Sequence, residues 1–428
     1  MMSGRKATTN LRKGDFALSV CNPESLSPIG WHWIELNSIA TMATGHTPSR
    51  RHPEYWGGEI KWIRAADARK CDGSIINDTK ETINQLGIDN SAAVVLPKNT
   101  VCLSRSASIG YTVILGEEMA TNQGFVNWIC GKELEPKFLQ YIFVLENSFL
   151  KEIAYGTAHT TIYYPEVKAF YVCIPPIDEQ KRIVVKLDEC FEAIDKARAN
   201  VGKNLNNAKE LFQSQLNQIF SQKGDGWVEK ELGELCEKIQ DGAHHSPKIQ
   251  YEEKLNNRYL YITSKNIRNN YLDLSNVSYV DESFHNTIYP RCNPEAGDIL
   301  ITKDGANTGN ITLNTLEEPF SLLSSVCLIK TNRKLLLPSF LKGYIQSPVG
   351  FKNITGKMTG MAIKRIILKT IKQAEIPLPD LNIQQQIVEQ LDDLYEKTQS
   401  LESNYQQELD ALDELKKSIL QKAFNGEL

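Results

Sequence analysis

The pattern of apolar and polar positions alternates along the chain between two kinds of segment. In residues 29–177 and 225–381, short β-branched and aromatic runs are broken by Gly, Asn and Pro, which is typical of strands joined by turns. In residues 178–224 and 382–428, apolar or small side chains recur at steps of three and four, which is typical of long amphipathic helices. The pattern predicts two globules, each followed by one long helix, after an N-terminal tail of residues 1–28.

The two globules are predicted to have an α+β fold, because each combines strand-like runs with one longer helical stretch. The helical stretches are residues 136–153 and 338–355. The clearest strand-like runs are Val94–Leu96, Thr112–Leu115, Asp298–Thr302 and Ser325–Lys330.

The two long helical segments contain no proline. At roughly 45 residues and 1.5 Å per residue, each is about 65–70 Å long. A small domain cannot cover an apolar stripe of that length, so the two helices are predicted to pack on each other as an antiparallel coiled coil. Asp178 and Asn382, which follow proline-bearing segments, are the predicted N-caps.

The chain contains an internal repeat, in which one globule and one long helix occur twice. Each globule begins at a Gly-Trp pair, and each ends in a Pro-containing stretch closed by a glutamine, Gln180 or Gln384, 204 positions apart. Because the halves share a frame and differ in their loops, they are predicted to have pseudo-two-fold symmetry and two different binding specificities. Two further stretches match inside the globules: Trp62–Asp67 with Tyr261–Asn266, and Leu103–Gly110 with Ile301–Gly309.

Composition narrows the class of protein. The nine cysteines are scattered and include no C-x-x-C pair, which excludes the common cysteine zinc sites and indicates a reducing cytoplasm. No apolar run approaches the roughly 18 residues that a membrane helix needs. We therefore expect a cytoplasmic protein.

The net charge of −4 is unusual for a nucleic-acid binder. The acidity lies in residues 382–428, which carry 4 basic and 10 acidic side chains, whereas the two globules are close to neutral. DNA contact would therefore need local basic clusters or a basic partner.

Three short motifs resemble catalytic or metal-binding sequences, and each has a plainer interpretation. The Pro175-Pro176 pair resembles that of amino-methyltransferases but lacks the flanking Asn or Asp and the aromatic residue, so it predicts a turn. The Glu-x-Lys triplets at 179–181 and 414–416 resemble the end of a nuclease motif but fall on the long helices. His244-His245 has no third ligand at a matching spacing. With no Walker A, H-E-x-x-H or G-x-S-x-G sequence, we predict no catalytic site and no metal.

The duplicated layout, the Gly-Trp pairs, the exits ending in Gln180 and Gln384, and the ending ILQKAFNGEL at residues 419–428 together resemble the specificity subunits of type I restriction-modification systems. The resemblance covers nearly the whole chain, and its specific parts are the exits and the ending. Residues 1–28 do not align.

The resemblance implies a non-catalytic DNA-recognition subunit. Each globule would be a target-recognition domain for one half of a split double-stranded DNA site. The paired helices would form a spacer and a docking surface for two modification subunits, which bind S-adenosylmethionine and methylate adenine. Restriction subunits, which combine motor and nuclease, would join them. The chain itself is expected to hold no cofactor, with S-adenosylmethionine, ATP and Mg²⁺ on the partners.

Candidate DNA contacts are polar side chains at repeated loop positions, since Arg, Lys, Asn, Gln and hydroxyl groups bind base edges and phosphates. In the first globule they are Thr47, Ser49, Arg50, Arg64, Ser104, Arg105, Ser106, Asn122, Gln123, His159 and Thr160. In the second they are His244, His245, Thr263, Lys265, Asn266, Lys303, Asn307, Lys357 and Thr359.

Two other classes of function stay open on the sequence. One is an adaptor that binds protein through both globules and has no DNA specificity. The other is a methyltransferase or nuclease whose motifs are not recognisable.

Overall fold

The computed structural model describes residues 27–156, 160–224, 226–355 and 365–428, and the backbone of Phe16–Leu18. It divides into two compact units. The first comprises Met1–Asn200 with Glu408–Leu428, and the second comprises Val201–Gln407. Each unit holds one globule and part of both long helices. Within the described residues, no helix combines the length and apolar character needed to cross a membrane.

The first globule is an α+β fold, as predicted. Its helices are α1 (Leu36–Ile39), α2 (Ala65–Lys70), α3 (Gln85–Asp89), α4 (Pro136–Leu145), α5 (Asn147–Glu152) and α6 (Tyr164–Lys168). Its strands are β1 (Phe16–Leu18), β2 (His32–Glu35), β3 (Ala40–Thr44), β4 (Trp56–Ile63), β5 (Ser74–Ile76), β6 (Glu81–Ile83), β7 (Val101–Ser104), β8 (Thr112–Leu115), β9 (Met119–Thr121), β10 (Phe125–Cys130) and β11 (Phe170–Ile174). The first long helix, α7 (Ile177–Gln222), follows directly.

The second globule repeats this order of elements. Its strands are β12 (Val228–Glu231), β13 (Cys236–Asp241), β14 (Arg258–Ile262), β15 (Ile267–Arg268), β16 (Tyr271–Leu272), β17 (Ser278–Asp281), β18 (Ile299–Thr302), β19 (Ile311–Leu313), β20 (Ser321–Leu322), β21 (Val326–Thr331) and β22 (Glu375–Leu378). Its helices are α8 (Glu282–Cys292), α9 (Pro338–Gln346), α10 (Pro348–Thr355) and α11 (Leu368–Lys372), and α12 (Leu381–Phe424) is the second long helix.

The sheets of the two globules correspond in most of their strands, with one further strand, β5, in the main sheet of the first globule. The main sheet has the order β3-β10-β7-β8-β5 in the first globule and β13-β21-β18-β19 in the second. A smaller sheet has the order β6-β4-β9 in the first and β17-β14-β20 in the second, and in both the last pair is parallel. The internal repeat is therefore a repeat of topology.

The central strands explain why their sequences are apolar without alternation. Every residue of β7, β8 and β18 is buried, because helices or a second sheet cover both faces. In the first unit the main core also includes Leu187 and Phe191 of α7 and Phe424 of α12. In this way each globule is fixed to the helix pair that accompanies it.

The two long helices run antiparallel. In the first unit Arg182 of α7 donates to the carbonyl of Leu428 at 2.5 Å, and Asp195 of α7 accepts from Lys416 at 3.1 Å. Later residues of α7 therefore contact earlier residues of the C-terminal segment. In the second unit Phe212 packs against Tyr395 with ring centroids 5.5 Å apart. The predicted coiled-coil pairing is confirmed.

The repeated glutamines join each globule to the start of its long helix. Gln180 is fully buried; its Oε1 accepts from the amide of Glu135 at 3.0 Å, and its Nε2 donates to the carbonyls of Glu133 and Pro175, both at 2.9 Å. Gln384 makes the same three bonds to Leu337, Leu335 and Pro379. Each carboxamide is therefore a structural latch between helix and globule.

Three details of the prediction are wrong. Residues 94–96 are not a strand, and only Leu96 makes an isolated bridge, to Met119. Each predicted helical stretch is two helices, α4 with α5 and α9 with α10. The long helices begin one residue before the expected N-caps, so Asp178 lies within the first turn of α7, and Asp380 rather than Asn382 accepts from the amide of Ile383, at 3.0 Å.

Candidate DNA interface

A glycine brings two loops of the first globule together. A Cβ on Gly45, which follows β3, would lie 2.1 Å from the carbonyl oxygen of Asn122, so only glycine permits this approach. The amide of His46 donates to the carbonyl of Thr121 at 2.9 Å, and the Thr47 hydroxyl bonds to the Gln123 carboxamide. Thr47, Asn122 and Gln123 therefore lie together, as a common interface requires.

A third loop joins the same edge through Arg105. Its amide donates to the carbonyl of Gly124 at 2.8 Å, and its carbonyl accepts from the amide of Ile162 at 2.9 Å. Its guanidinium donates to the Ile162 carbonyl at 3.0 Å and lies 4.1 Å above the ring of Tyr164. Next to it, the Ser106 and Thr161 hydroxyls are 2.8 Å apart. This places Ser106 and the exposed Thr160 beside the Asn122–Gly124 turn.

The remaining predicted cations of the first globule form an ion-paired aromatic cluster. Arg50 donates to Glu81 at 2.6 Å, and its guanidinium lies 3.6 Å above the ring of Trp56. Arg64 donates to the other oxygen of Glu81 and to Asp67, both at 3.4 Å. The hydrogen bond from Arg50, with the charge of both arginines, lowers the pKa of Glu81 below its usual range.

Ser49 contributes backbone to this cluster. It is exposed, and its carbonyl accepts from the Trp56 indole at 3.4 Å. The loop that carries Ser49 and Arg50 is thus held over β4.

The second globule uses the same backbone frame. A Cβ on Gly242 would lie 2.1 Å from the Leu322 carbonyl, just as at Gly45. The amide of Lys303 donates to Ser325 at 2.9 Å, and its carbonyl accepts from Ile366 at 2.9 Å, as Arg105 does with its own neighbours. The next two positions also agree, since a left-handed residue follows in both, Ala107 with φ 63° and Gly305 with φ 99°.

Different side chains occupy this frame. Asp241, 2% exposed, accepts from Arg291 at 2.7 Å and from Lys303 at 3.2 Å, and the His244 ring is 3.4 Å away. Burial alone would raise the pKa of Asp241, but the hydrogen bonds from Arg291 and Lys303 outweigh it, so the pKa is lowered. The carboxylate is therefore ionised and paired at neutral pH.

The rest of the predicted set in the second globule lies around β14 and the loop after β18. Thr263 and Lys265 follow β14, with Lys265 exposed. The Asn307 carboxamide donates to the carbonyl of Ser264 at 3.3 Å, which joins the two loops. His245 is exposed beside His244.

The structure corrects three predicted contacts. Ser104 is fully buried, and its hydroxyl donates to Ser108 at 2.5 Å and accepts from Tyr111 at 2.9 Å. Asn266 is 3% exposed, and its carboxamide bonds to Thr263, Asp273 and Asn276. Both side chains are occupied by hydrogen bonds inside their own loops. Lys303, 6% exposed, is committed to Asp241. His159, Lys357 and Thr359 lie outside the described residues.

The model of the type I restriction modification DNA specificity domain family matches residues 28–201 and 224–411. The chain belongs to this family. DNA-recognition specificity is therefore its role, and the two matched segments each include one globule.

Curated relatives of this specificity family match the chain over all or part of its length. The MjaIX specificity subunit of Methanocaldococcus jannaschii is 23% identical over 424 residues, covering 94% of each chain. The EcoBI specificity subunit of Escherichia coli is 26% identical over 279 residues, covering 60% of this chain and 58% of that one.

Solved structures show the same fold. A chain from a study of complex assembly and conformational transition of the type I R-M system matches with a TM-score of 0.75 at 19% identity, over 94% of this chain and 100% of that one. The HsdS subunit of Thermoanaerobacter tengcongensis matches with a TM-score of 0.60 at 19% identity, over 95% and 99%.

Sequence reasoning missed several residues of the candidate DNA interface of this specificity subunit. Glu81 reaches Arg50 across 31 positions of sequence and Arg291 reaches His244 across 47, so no local pattern marks them. Arg365 pairs with Asp304 at 2.5 Å, across a bridge equivalent to that between Ser106 and Thr161. Asp241 is another missed partner, and its proximity in sequence to His244 is the signal that could have suggested it.

Proposed function

We propose that the chain reads a two-part double-stranded DNA target, with one globule for each part. The observation that carries this is the repeated frame with exchanged side chains. The same backbone bonds hold Arg105 in one globule and Lys303 in the other, whereas the side chains that follow the equivalent glycines differ, Thr47 in the first globule and His244 in the second. A shared frame sets the same approach to a groove, whereas different side chains select different bases.

The proposed contacts are the predicted loop residues that remain at or near the surface. In the first globule these are Thr47, Ser49, Arg50, Arg64, Arg105, Ser106, Asn122, Gln123 and Thr160. In the second they are His244, His245, Thr263, Lys265 and Asn307, with Arg291 and Arg365 added by the geometry. His159, Lys357 and Thr359 stay predictions from the sequence.

We further propose that the chain supplies no catalysis and works in the cytoplasm with partners. Two modification subunits that bind S-adenosylmethionine would dock on the helix pair, and restriction subunits that use ATP and Mg²⁺ would join them. Exposed apolar side chains on α7 and α12, among them Val185, Leu211, Leu401 and Leu415, support a docking role for these helices.

Co-expression with its modification subunit, followed by methylome sequencing of the host, tests the proposal. We expect methylated adenines in one motif of two defined parts separated by a fixed unspecified gap. A chain that methylates or cleaves DNA when purified alone would contradict the non-catalytic role. A single uninterrupted motif would contradict the division of labour between the globules.

A further inference from the structure

Several cations of the candidate interface are ion-paired with the protein's own carboxylates. In the first globule, Glu81 pairs with both Arg50 and Arg64, and Asp67 pairs with Arg64. Two positive and two negative charges therefore meet within one cluster. This explains locally why a DNA-recognition chain has globules that are close to neutral.

The second globule pairs three cations with two carboxylates at unrelated positions. Asp241 pairs with Arg291 and Lys303, and Asp304 pairs with Lys303 and Arg365. The carboxylate comes from the end of β13 here, but from the start of β6 in the first globule. Because the two clusters are built from different elements, duplication of one ancestral ion pair does not account for them.

These carboxylates fix direction as well as charge. The Arg50 guanidinium lies over the ring of Trp56, and Trp62 packs edge-on to Trp56 with ring centroids 4.9 Å apart. Arg291 is held at three points, since its Nε donates to the carbonyls of Asp241 and Gly242 at 2.8 and 3.1 Å while its Nη2 donates to the Asp241 carboxylate. The Arg291 Nη2 also lies 3.2 Å from the His244 Nε2, so among the described bonds Nη1 carries the donors left for a base edge or a phosphate.

We propose that Glu81 and Asp241 are specificity-determining positioning residues, which orient the cationic side chains of their globule and cancel their charge. The inference rests on the proposed DNA-reading function. Phosphate attraction does not depend on sequence, whereas directed hydrogen bonds to base edges do. A carboxylate behind each cation cluster therefore lowers affinity for all DNA and raises discrimination between sequences.

The first test is Glu81→Gln, which removes the charge and keeps the shape. Its side chain is 28% exposed, so the variant is expected to fold. We expect tighter binding to non-target duplex and a salt dependence of log K steeper by about one unit, as for one added phosphate contact. Discrimination against a duplex with the first half-site scrambled should fall about tenfold, the size of a single weakened base contact. Discrimination at the second half-site should not change.

Glu81→Asp and Glu117→Gln are the matched controls. Glu81→Asp keeps the charge and should restore the salt dependence. Glu117 is also ion-paired, to Lys61, and its loss changes the net charge of the chain equally. Glu117→Gln should leave discrimination unchanged, since it touches none of the clustered arginines.

The mirror variant is Asp241→Asn, with loss of discrimination expected at the second half-site only. Because Asp241 is buried, a thermal unfolding midpoint checks that this variant is folded, and Glu81→Gln decides the matter if it is not. All measurements use the full chain assembled with its modification subunits and duplexes that carry the mapped target. Wild-type protein that does not discriminate target from scrambled DNA would overturn the proposed function itself. Wild-type discrimination retained in Glu81→Gln, with the same salt slope, would overturn only this inference.

Discussion

At the scale of the residue, a substitution of Arg64 tests whether the two globules contribute separately to DNA binding. Its guanidinium lies at the candidate interface of the first unit, 27% exposed, and its described bonds, to Asp67 and Glu81, lie within the first globule. Arg64→Ala should cost about 1–3 kcal/mol of binding to a target with an intact first half-site. It should change nothing in discrimination at the second half-site. Competition binding with duplexes altered in one half at a time measures both.

Lys265→Ala is the matched variant in the second globule. Lys265 follows β14 as Ala66 follows β4, and it is exposed. Lys265→Ala should weaken binding to a target with an intact second half-site and leave discrimination at the first half-site unchanged. Equal loss at both half-sites in either variant counts against the assignment.

Glu146 gives the first unit a dependence on pH. Burial between α4 and α5 raises the pKa of this carboxyl to about 7. A raised folded pKa means that stability is full below the unfolded value, near 4.5, and declines as pH rises toward 7, because the folded state must then bury a charge. Glu146→Gln should therefore raise stability at pH 8 by about 1–2 kcal/mol and leave it unchanged at pH 4.

The unfolding midpoint of the first unit, followed at pH 4 and pH 8, measures this difference. Glu152→Gln, at an exposed position of α5, is the control and should behave like the wild type at both values. A Glu146→Gln variant with no gain at pH 8 would show that the carboxyl is hydrated in the folded chain.

Side-chain roles were the part of the site that sequence predicted least well. Ser104 and Asn266 have the polar character of DNA contacts, but buried backbone groups must be satisfied and these side chains do so. Conversely, Arg291 was missed because α8 is brought to Asp241 by the fold, 50 positions along the chain. Polarity in a loop does not reveal which way a side chain is directed.

At the scale of the element, the buried glutamine latches should each stabilise one globule on its helix. Gln180→Leu keeps the volume but leaves the amide of Glu135 and the carbonyls of Glu133 and Pro175 without their partner. Unsatisfied buried groups cost about 1–3 kcal/mol each, so we expect a loss of about 2–4 kcal/mol. Hydrogen exchange should show faster opening at the start of α4.

Gln385→Leu controls for the hydrophobic replacement of a glutamine near the start of a long helix. Gln385 is exposed and bonds only along its own helix, to Glu389 at 3.0 Å. It should leave exchange unchanged. A Gln180→Leu variant with normal protection at Glu135 would mean that the latch is dispensable.

Elements were predicted well where one pattern ran without interruption. The long seams of α7 and α12 and the strand β8 are continuous in sequence and in structure. The break between α4 and α5 at Glu146, and the absence of a strand at residues 94–96, depend on packing against neighbours that are distant in sequence. Short apolar runs are ambiguous for this physical reason.

At the scale of the whole molecule, the second half of α7 and the end of α12 are interchangeable parts. Phe220 packs on Phe340 with centroids 5.5 Å apart, and Phe424 packs on Phe138 at 4.9 Å. A fragment ending at Lys223 lacks α12 and leaves its own seam bare. Two such fragments should pair α7 with α7, so that the Phe220 segment of each covers the globule of the other, giving a two-fold symmetric dimer.

Light scattering of the fragment and methylome sequencing of a host that expresses it with the modification subunit measure the outcome. The expected target is an interrupted palindrome of the first half-site and its inverted copy, because palindromy mirrors protein symmetry. A monomeric fragment, or an asymmetric methylated site, would contradict the equivalence of the two helix segments.

The end of α12 contacts the start of the first globule, so joining these two segments would give a cyclic backbone. Gly426 lies against Pro28, and the ring centroids of Phe424 and Trp31 are 6.3 Å apart. In the second unit, Phe220 and Trp227 belong to the same core cluster, and there the backbone itself is continuous. A linker from residue 428 to the segment before β1 would close the backbone and keep the pairing of β1 with β11, and new termini at residues 223–226 would reopen it without breaking a helix or strand. A gene encoding the halves in either order therefore specifies the same two units. Recombination could exchange whole reading modules within such a gene and leave each globule with its full complement of supporting helix.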